Sequence, residues 1–202
     1  MNYFCIGNSH VYQFGENFQA QDYFCNKNFR GVSIGGCVAY NFLTSHLVRT
    51  HEHLIKFGFN SSKETLILIV GEVDCRYHLP KQAELQKRQL IDITVECVDR
   101  YFHSIMEFSN VCNVIAWGVH PSSIAPHREG GHIYGSMELR NYVSVLFNKR
   151  LRELCEWKKI QFRSIYHHLV NSCNVTKMEY YIDDLHLNSH LVKNFINLEL
   201  SI

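Results

Sequence analysis

Six consecutive residues, Thr65-Leu66-Ile67-Leu68-Ile69-Val70, run without any alternation of polar and apolar side chains and stop at Gly71. A strand with one wet face would alternate, so this run predicts a central parallel strand covered on both sides. Parallel neighbours need crossover connections of about a dozen residues or more, usually helical. The rest of the chain supplies such connections.

Tyr3 to Ile6 reads as a first strand ended by Gly7, and Phe29 to Ser33 as a weaker second one. Val111 to Trp117, closed by Gly118, is a fourth, and Ile160 to Ile165 a fifth. Between them lie helical patterns. Val38, Phe42, His46/Leu47 and Leu54 recur near helical spacing after Gly35-Gly36, and Gly58 is placed to cap that helix. Lys81 to Phe108 carries one apolar stripe, Leu139 to Trp157 is helical, and Asn188 opens a last helix to Leu200. The stretch from Gly15 to Asn28 is too irregular to assign. Strands alternating with helices predict a three-layer α/β/α sandwich on a five-stranded parallel sheet, with residues 1–202 as a single domain.

Composition narrows the function classes. Hydrophobic residues at 46% and charged residues at 19% describe a globular chain rather than a disordered one. A net charge of +1 gives no global field for nucleic acid or an anionic membrane, and neither is expected as a partner. No apolar run approaches the roughly 20 residues of a membrane span, and the start of the chain reads as a strand rather than a signal peptide. A cytoplasmic protein is the expectation. Eight cysteines form no CxxC pair, and Cys5, Cys37, Cys97 and Cys112 sit inside apolar runs, where they act as small hydrophobes.

Two segments at opposite ends of the chain carry chemistry. Cys5-Ile6-Gly7-Asn8-Ser9-His10 delivers a serine to the end of the first strand, where an open α/β sheet binds ligands. Asp183-Asp184-Leu185-His186 brings an Asp and a His at three-residue spacing. A serine needs a base to take its proton and a third group to orient that base, and Ser9, His186 and Asp183 are the residue types for those roles.

Four blocks in order resemble the SGNH/GDSL hydrolase superfamily and cover nearly the whole chain. They are Gly7-Asn8-Ser9-His10, with Asn8 where the family has Asp; the glycine within Ser33-Ile34-Gly35-Gly36; Gly71-Glu72-Val73-Asp74; and Asp183-x-x-His186. The resemblance implies a flavodoxin-like fold and ester hydrolysis or acyl transfer through a serine-bound acyl intermediate. It also implies an oxyanion hole made by the N–H groups of Ser9 and the block-two glycine, read as Gly36, and by an Asn side chain. Here the chain departs from the family, because Val73 stands at the Asn position. One such donor is worth about 2.7–4 kcal/mol. Arg76, in Asp74-Cys75-Arg76-Tyr77-His78, is the nearest replacement, since a charged donor can serve an oxyanion as well as an amide.

Each residue also has a plainer reading. Ser9 could cap the following helix. Asp183 and Asp184 could be turn residues and His186 a solvated histidine. Gly35 and Gly36 could be turn glycines, and Asp74 could anchor its loop by accepting backbone N–H groups. Substrate contacts are expected from Asn8, His10, Gly35, Asp74, His78 and His120, all near predicted strand ends. His51-x-His53 lies mid-helix, where the side chains point apart. His120, His127 and His132 share a loop without a zinc pattern, so neither metal nor other cofactor is expected.

The expected activity is that of a serine esterase or O-acyltransferase, acting on O-acetyl groups of a carbohydrate. The alternative from another class is a sugar- or protein-binding module that keeps the fold without the activity, which Val73 favours. The expected partner is a small-molecule or glycan ester, with association with a glycan-processing protein as a further option.

Overall fold

The computed structural model describes residues 2–15, 23–126 and 132–202. Its sheet contains β1 (Asn2–Gly7), β2 (Tyr23–Cys25), β3 (Phe29–Ser33), β4 (Glu64–Ile69), β5 (Val114–Trp117) and β6 (Gln161–Arg163) in the order β2-β3-β1-β4-β5-β6. Five strands are parallel, and β2 runs antiparallel to β3 at the edge. The five expected strands are therefore present. The sixth falls in the unassigned stretch, a three-residue edge strand too short and too exposed to leave a burial pattern.

The uninterrupted run of β4 is explained by its two faces. Leu66, Leu68 and Val70 join Phe4, Ile6, Val114 and Ala116 in one core. That core is closed by α1 (Leu47–Lys56), α2 (Leu79–Gln86), α3 (Leu90–Ser109) and α4 (Met137–Lys158). Ile67 and Ile69 join Tyr3, Cys5, Ile115 and Trp117 in the other, beneath α5 (Ser189–Leu200) and the 3-10 turn Ser9–Phe14. The layering is that of an α/β/α sandwich. Among the described residues no helix is long and apolar enough to cross a membrane.

Two helical expectations need correction. The single stripe from Lys81 to Phe108 is broken into α2 and α3, because Lys87 turns left-handed (φ 52°) and ends the first of them. Gly36 does not open a helix. It is the third residue of a turn closed by Cys37 N–H donating to Ile34 O at 3.2 Å, with φ +71°. A glycine takes that angle without strain. The π-helical turn Phe42–His46 and α1 follow it.

The strand register sets the site. Gly7 pairs with both Ser33 and Ile69, Ile69 with Trp117, and Trp117 with Arg163. Five strand ends thus stand in one row, and the loops leaving them meet at one edge. Gly7 is fixed there by contact, since a Cβ at this position would lie 1.9 Å from Ile69 O.

Candidate active site

The loop leaving β1 turns at once into the 3-10 turn Ser9–Phe14. Its N-cap is Asn8, whose Oδ1 accepts from His10 N–H at 3.1 Å. Capping is therefore done by the Oδ1 of buried Asn8, and Ser9 as a cap does not describe the structure. The Ser9 hydroxyl is left for another partner. It lies 3.0 Å from His186 Nε2.

His186 comes from the loop before α5, and that loop folds around Asp183. The Oδ1 of Asp183 accepts from the N–H groups of Leu185 and His186, both at 2.7 Å. Its Oδ2 is 2.8 Å from His186 Nδ1. Asp183 is thus a turn residue and the partner of the imidazole at once. Burial by itself would raise the Asp183 carboxyl, but the bonds from His186 and Leu185 bring it below its usual range. Burial, with the charge of His10 added to it, lowers His186. Nδ1 facing a carboxylate holds the proton there, so Nε2 presents a lone pair to the Ser9 hydroxyl. This chain of contacts can take a proton from Ser9.

A second polar chain lies beneath the first. Glu72, which follows β4, is buried, with Oε2 at 2.8 Å from His10 Nε2 and Oε1 at 2.7 Å from Arg76 Nε. Burial would raise this carboxyl; His10 first, then Arg76, hold it far below the ordinary carboxylate range. His10 Nδ1 is 2.8 Å from His120 Nε2. His120 Nδ1 is 2.9 Å from Pro121 O, and Tyr181 Oη donates to the same carbonyl. Burial, and next the His10 charge, push His120 down to about 3, so it is neutral. Only about 10 Å³ of space remains between these groups.

That arrangement changes several expectations. His10 and His120 are buried, with both ring nitrogens of each engaged by the protein, so neither meets a substrate. Asp74 is fully buried, and its carboxylate accepts from Ala39 N–H at 2.7 Å and Tyr40 N–H at 3.3 Å. It ties the loop after β3 to the loop after β4, the anchoring role rather than substrate contact. Gly35 is exposed and its carbonyl accepts from Arg49. His78 is half-buried beside a cleft of about 360 Å³ lined by Tyr40, Asn41, Gln82 and Glu96 among others, with no triad residue in its wall. Arg76 is buried and commits Nε to Glu72 and Nη1 to the carbonyl of His132. Its contacts balance Glu72 and hold the loop after β5, and none of them is with Ser9. His127 lies outside the described residues.

Of the two backbone donors expected for an oxyanion, Ser9 N–H opens a 3-10 turn and so falls outside that turn's own ladder. Gly36 sits in an exposed turn at the end of the adjacent strand β3. Glu72 itself escaped the sequence reading. Its signal was the spacing to Arg76, four residues on in a segment too close to the buried strand end for solvent to screen the charge. Among the described residues, one group could hold a metal by its donor types, His167, His168 and Glu199, with ligating atoms within 4.8 Å of each other. It belongs to the loop after β6 and the end of α5, not to the triad.

No family profile and no curated protein matches the sequence. Solved structures do. A lipolytic protein of the G-D-S-L family from Veillonella parvula superposes with TM-score 0.60 at 15% identity, over 99% of this chain and 97% of that one. A catalytic mutant of an acetylxylan esterase from Geobacillus stearothermophilus gives 0.60 at 11%, over 100% and 94%. Phospholipase A1 from Streptomyces albidoflavus gives 0.56 at 14%, over 99% and 98%. The chain has the fold of the SGNH/GDSL hydrolases, the fold that its four sequence blocks imply.

Proposed function

We propose that this protein is an ester hydrolase of SGNH type in which Ser9 is the nucleophile, His186 the base and then the acid, and Asp183 the group that orients it. The observation that carries the reading is the unbroken run of contacts from Ser9 Oγ to His186 Nε2 at 3.0 Å and from His186 Nδ1 to Asp183 Oδ2 at 2.8 Å, set at the carboxyl ends of parallel strands. In the acylation step the Ser9 proton passes to Nε2, the Oγ–C bond forms, and the carbonyl π pair moves to oxygen. The N–H groups of Ser9 and Gly36 are the donors assigned to that oxygen. Collapse expels the alcohol, which takes the proton from His186. Water, or a sugar hydroxyl in the transfer variant, then repeats the sequence in reverse.

For the substrate, we propose a short acyl group, acetyl, on a carbohydrate. Support comes from the likeness to an acetylxylan esterase. The test is labelling with a serine-directed phosphonate, followed by mass mapping and by turnover of p-nitrophenyl acetate and acetylated xylan. A single adduct on Ser9 with turnover of the small ester is expected. Failure to label Ser9 would move the reading to a binding module, which the hydrophobic Val73 in place of an amide donor favours.

A further inference from the structure

His10 follows Ser9 directly, is buried, and has no part in the triad. Its protonation follows from its partners, taken from the far end of the chain inward. Pro121 O can only accept, and it already receives the Tyr181 hydroxyl. The His120 Nδ1 lies 2.9 Å from that carbonyl and 3.2 Å from the Tyr181 oxygen; with the hydroxyl proton committed to the carbonyl, both neighbours accept, and Nδ1 carries a proton. His120 is neutral, so its Nε2 is bare and can only accept. The group 2.8 Å from that lone pair is His10 Nδ1, which must donate. At the opposite edge of the ring, His10 Nε2 faces Glu72 Oε2 at 2.8 Å. Glu72 also lies against Arg76, so it is ionised and accepts. Both nitrogens of His10 are donors.

We propose that His10 is a buried imidazolium, a fixed positive charge placed beside Ser9 and against the His186 ring, and that it is a positioning residue for the chemistry of that pair. Its ring centroid is 5.2 Å from that of His186, with the planes tilted by 33°. The charged and titratable groups around it are Glu72 from the loop after β4, His120 from the loop after β5, and His186 with Asp183 from the loop before α5. Arg76 acts through Glu72, and Tyr181 through His120.

One carboxylate thus faces two cations. Arg140, fully buried on α4, adds another, and the oxygens it reaches, Ser122 Oγ and the carbonyls of Ser123, Ala125 and Gly135, are all uncharged; counting the fully buried Asp74 as well, three cations stand against two carboxylates. The floor of the site is electropositive and poorly solvated. Two consequences follow. Protonating His186 in the resting protein places a second charge beside His10, so the base form persists to lower pH. During attack, the proton reaching His186 is matched by an anion forming on the substrate, which the His10 charge stabilises. A weaker base is also a stronger acid, which favours proton delivery to the leaving alcohol.

The consequences rest on the Ser9–His186 reading, but the geometry does not, and the experiment separates the two. Long-range ¹H–¹⁵N NMR of the full chain at pH 7, with histidines assigned, should show His10 protonated on both nitrogens and His120 on Nδ1 alone. His10 protonated only on Nε2, with the His120 proton on Nε2, overturns the proposal whether or not any variant folds. His10→Gln should then raise the titration midpoint of His186 by about one unit or more. An unchanged midpoint in a folded variant also overturns it. Both readouts need no ester, so a phosphonate that fails to label Ser9 would refute the hydrolase reading and leave this one standing.

Discussion

Two carboxylate–imidazole chains lie almost one on top of the other in this protein. The upper one, Asp183–His186–Ser9, has an exposed carboxylate and ends on a hydroxyl. The lower one, Glu72–His10–His120, has every member buried and ends on the carbonyl of Pro121. The residue types are nearly the same, and the terminal group separates them. A hydroxyl can give its proton away, so the upper chain can cycle. A backbone carbonyl cannot, so the lower chain is locked in one protonation pattern and serves as a charge and a brace.

The largest expected effect tests the upper chain. Ser9→Ala should lower turnover of p-nitrophenyl acetate by about 10⁵-fold or more, with the circular dichroism spectrum unchanged. Because the groups act as a unit, Ser9→Ala combined with His186→Ala should be hardly worse than either alone. Multiplying losses would show that His186 is not the base of Ser9.

The next pair of variants sets the chains against each other. Asp183→Ala should lower kcat by about 10⁴-fold, since the imidazole loses its orienting acceptor. Its cost in stability should be about 1–2 kcal/mol, the loss of a cap-like carboxylate that holds the N–H groups of Leu185 and His186 at a half-exposed turn. Glu72→Ala should cost more in urea unfolding. It leaves His10 and Arg76 buried without their counter-ion, at a cost of about 3–5 kcal/mol. Equal stability losses at the two positions would erase the distinction between them.

The upper chain was legible in the sequence and the lower one was not, for a physical reason. Ser9, Asp183 and His186 announce themselves by position, one at a glycine-ended strand and two at a fixed spacing within a single loop. The strands were legible for the same reason, because burial on both faces leaves runs such as Leu66 to Val70. Glu72, His10 and His120 come from three separate strand ends, and only the register that aligns Gly7, Ile69 and Trp117 brings them together. No spacing along the chain encodes that. Arg76 shows the converse: a cation two residues past the block looks like an oxyanion donor until the buried Glu72 beside it is seen to need one.

The smallest effect concerns Asp74, the second buried carboxylate in the same loop, where the comparison can be sharpened by pH. Glu72 has two cations, whereas Asp74 has uncharged donors, the N–H groups of Ala39 and Tyr40 and the Cys97 thiol at 3.9 Å. Burial outweighs those bonds and raises Asp74 from 3.8 to about 6. A carboxyl whose folded pKa is raised binds its proton more tightly in the native state. Its contribution to stability is therefore complete below about pH 4 and is lost as the pH rises through about 6. Asp74→Asn keeps an acceptor oxygen and removes the titration. Glu72 is common to both proteins and cancels in the difference. Wild type should lose up to about 3 kcal/mol relative to Asp74→Asn between pH 4 and pH 7, read from urea midpoints at constant slope. Parallel stability curves over that range would mean that Asp74 is as well compensated as Glu72, and that uncharged donors alone can hold a charge there.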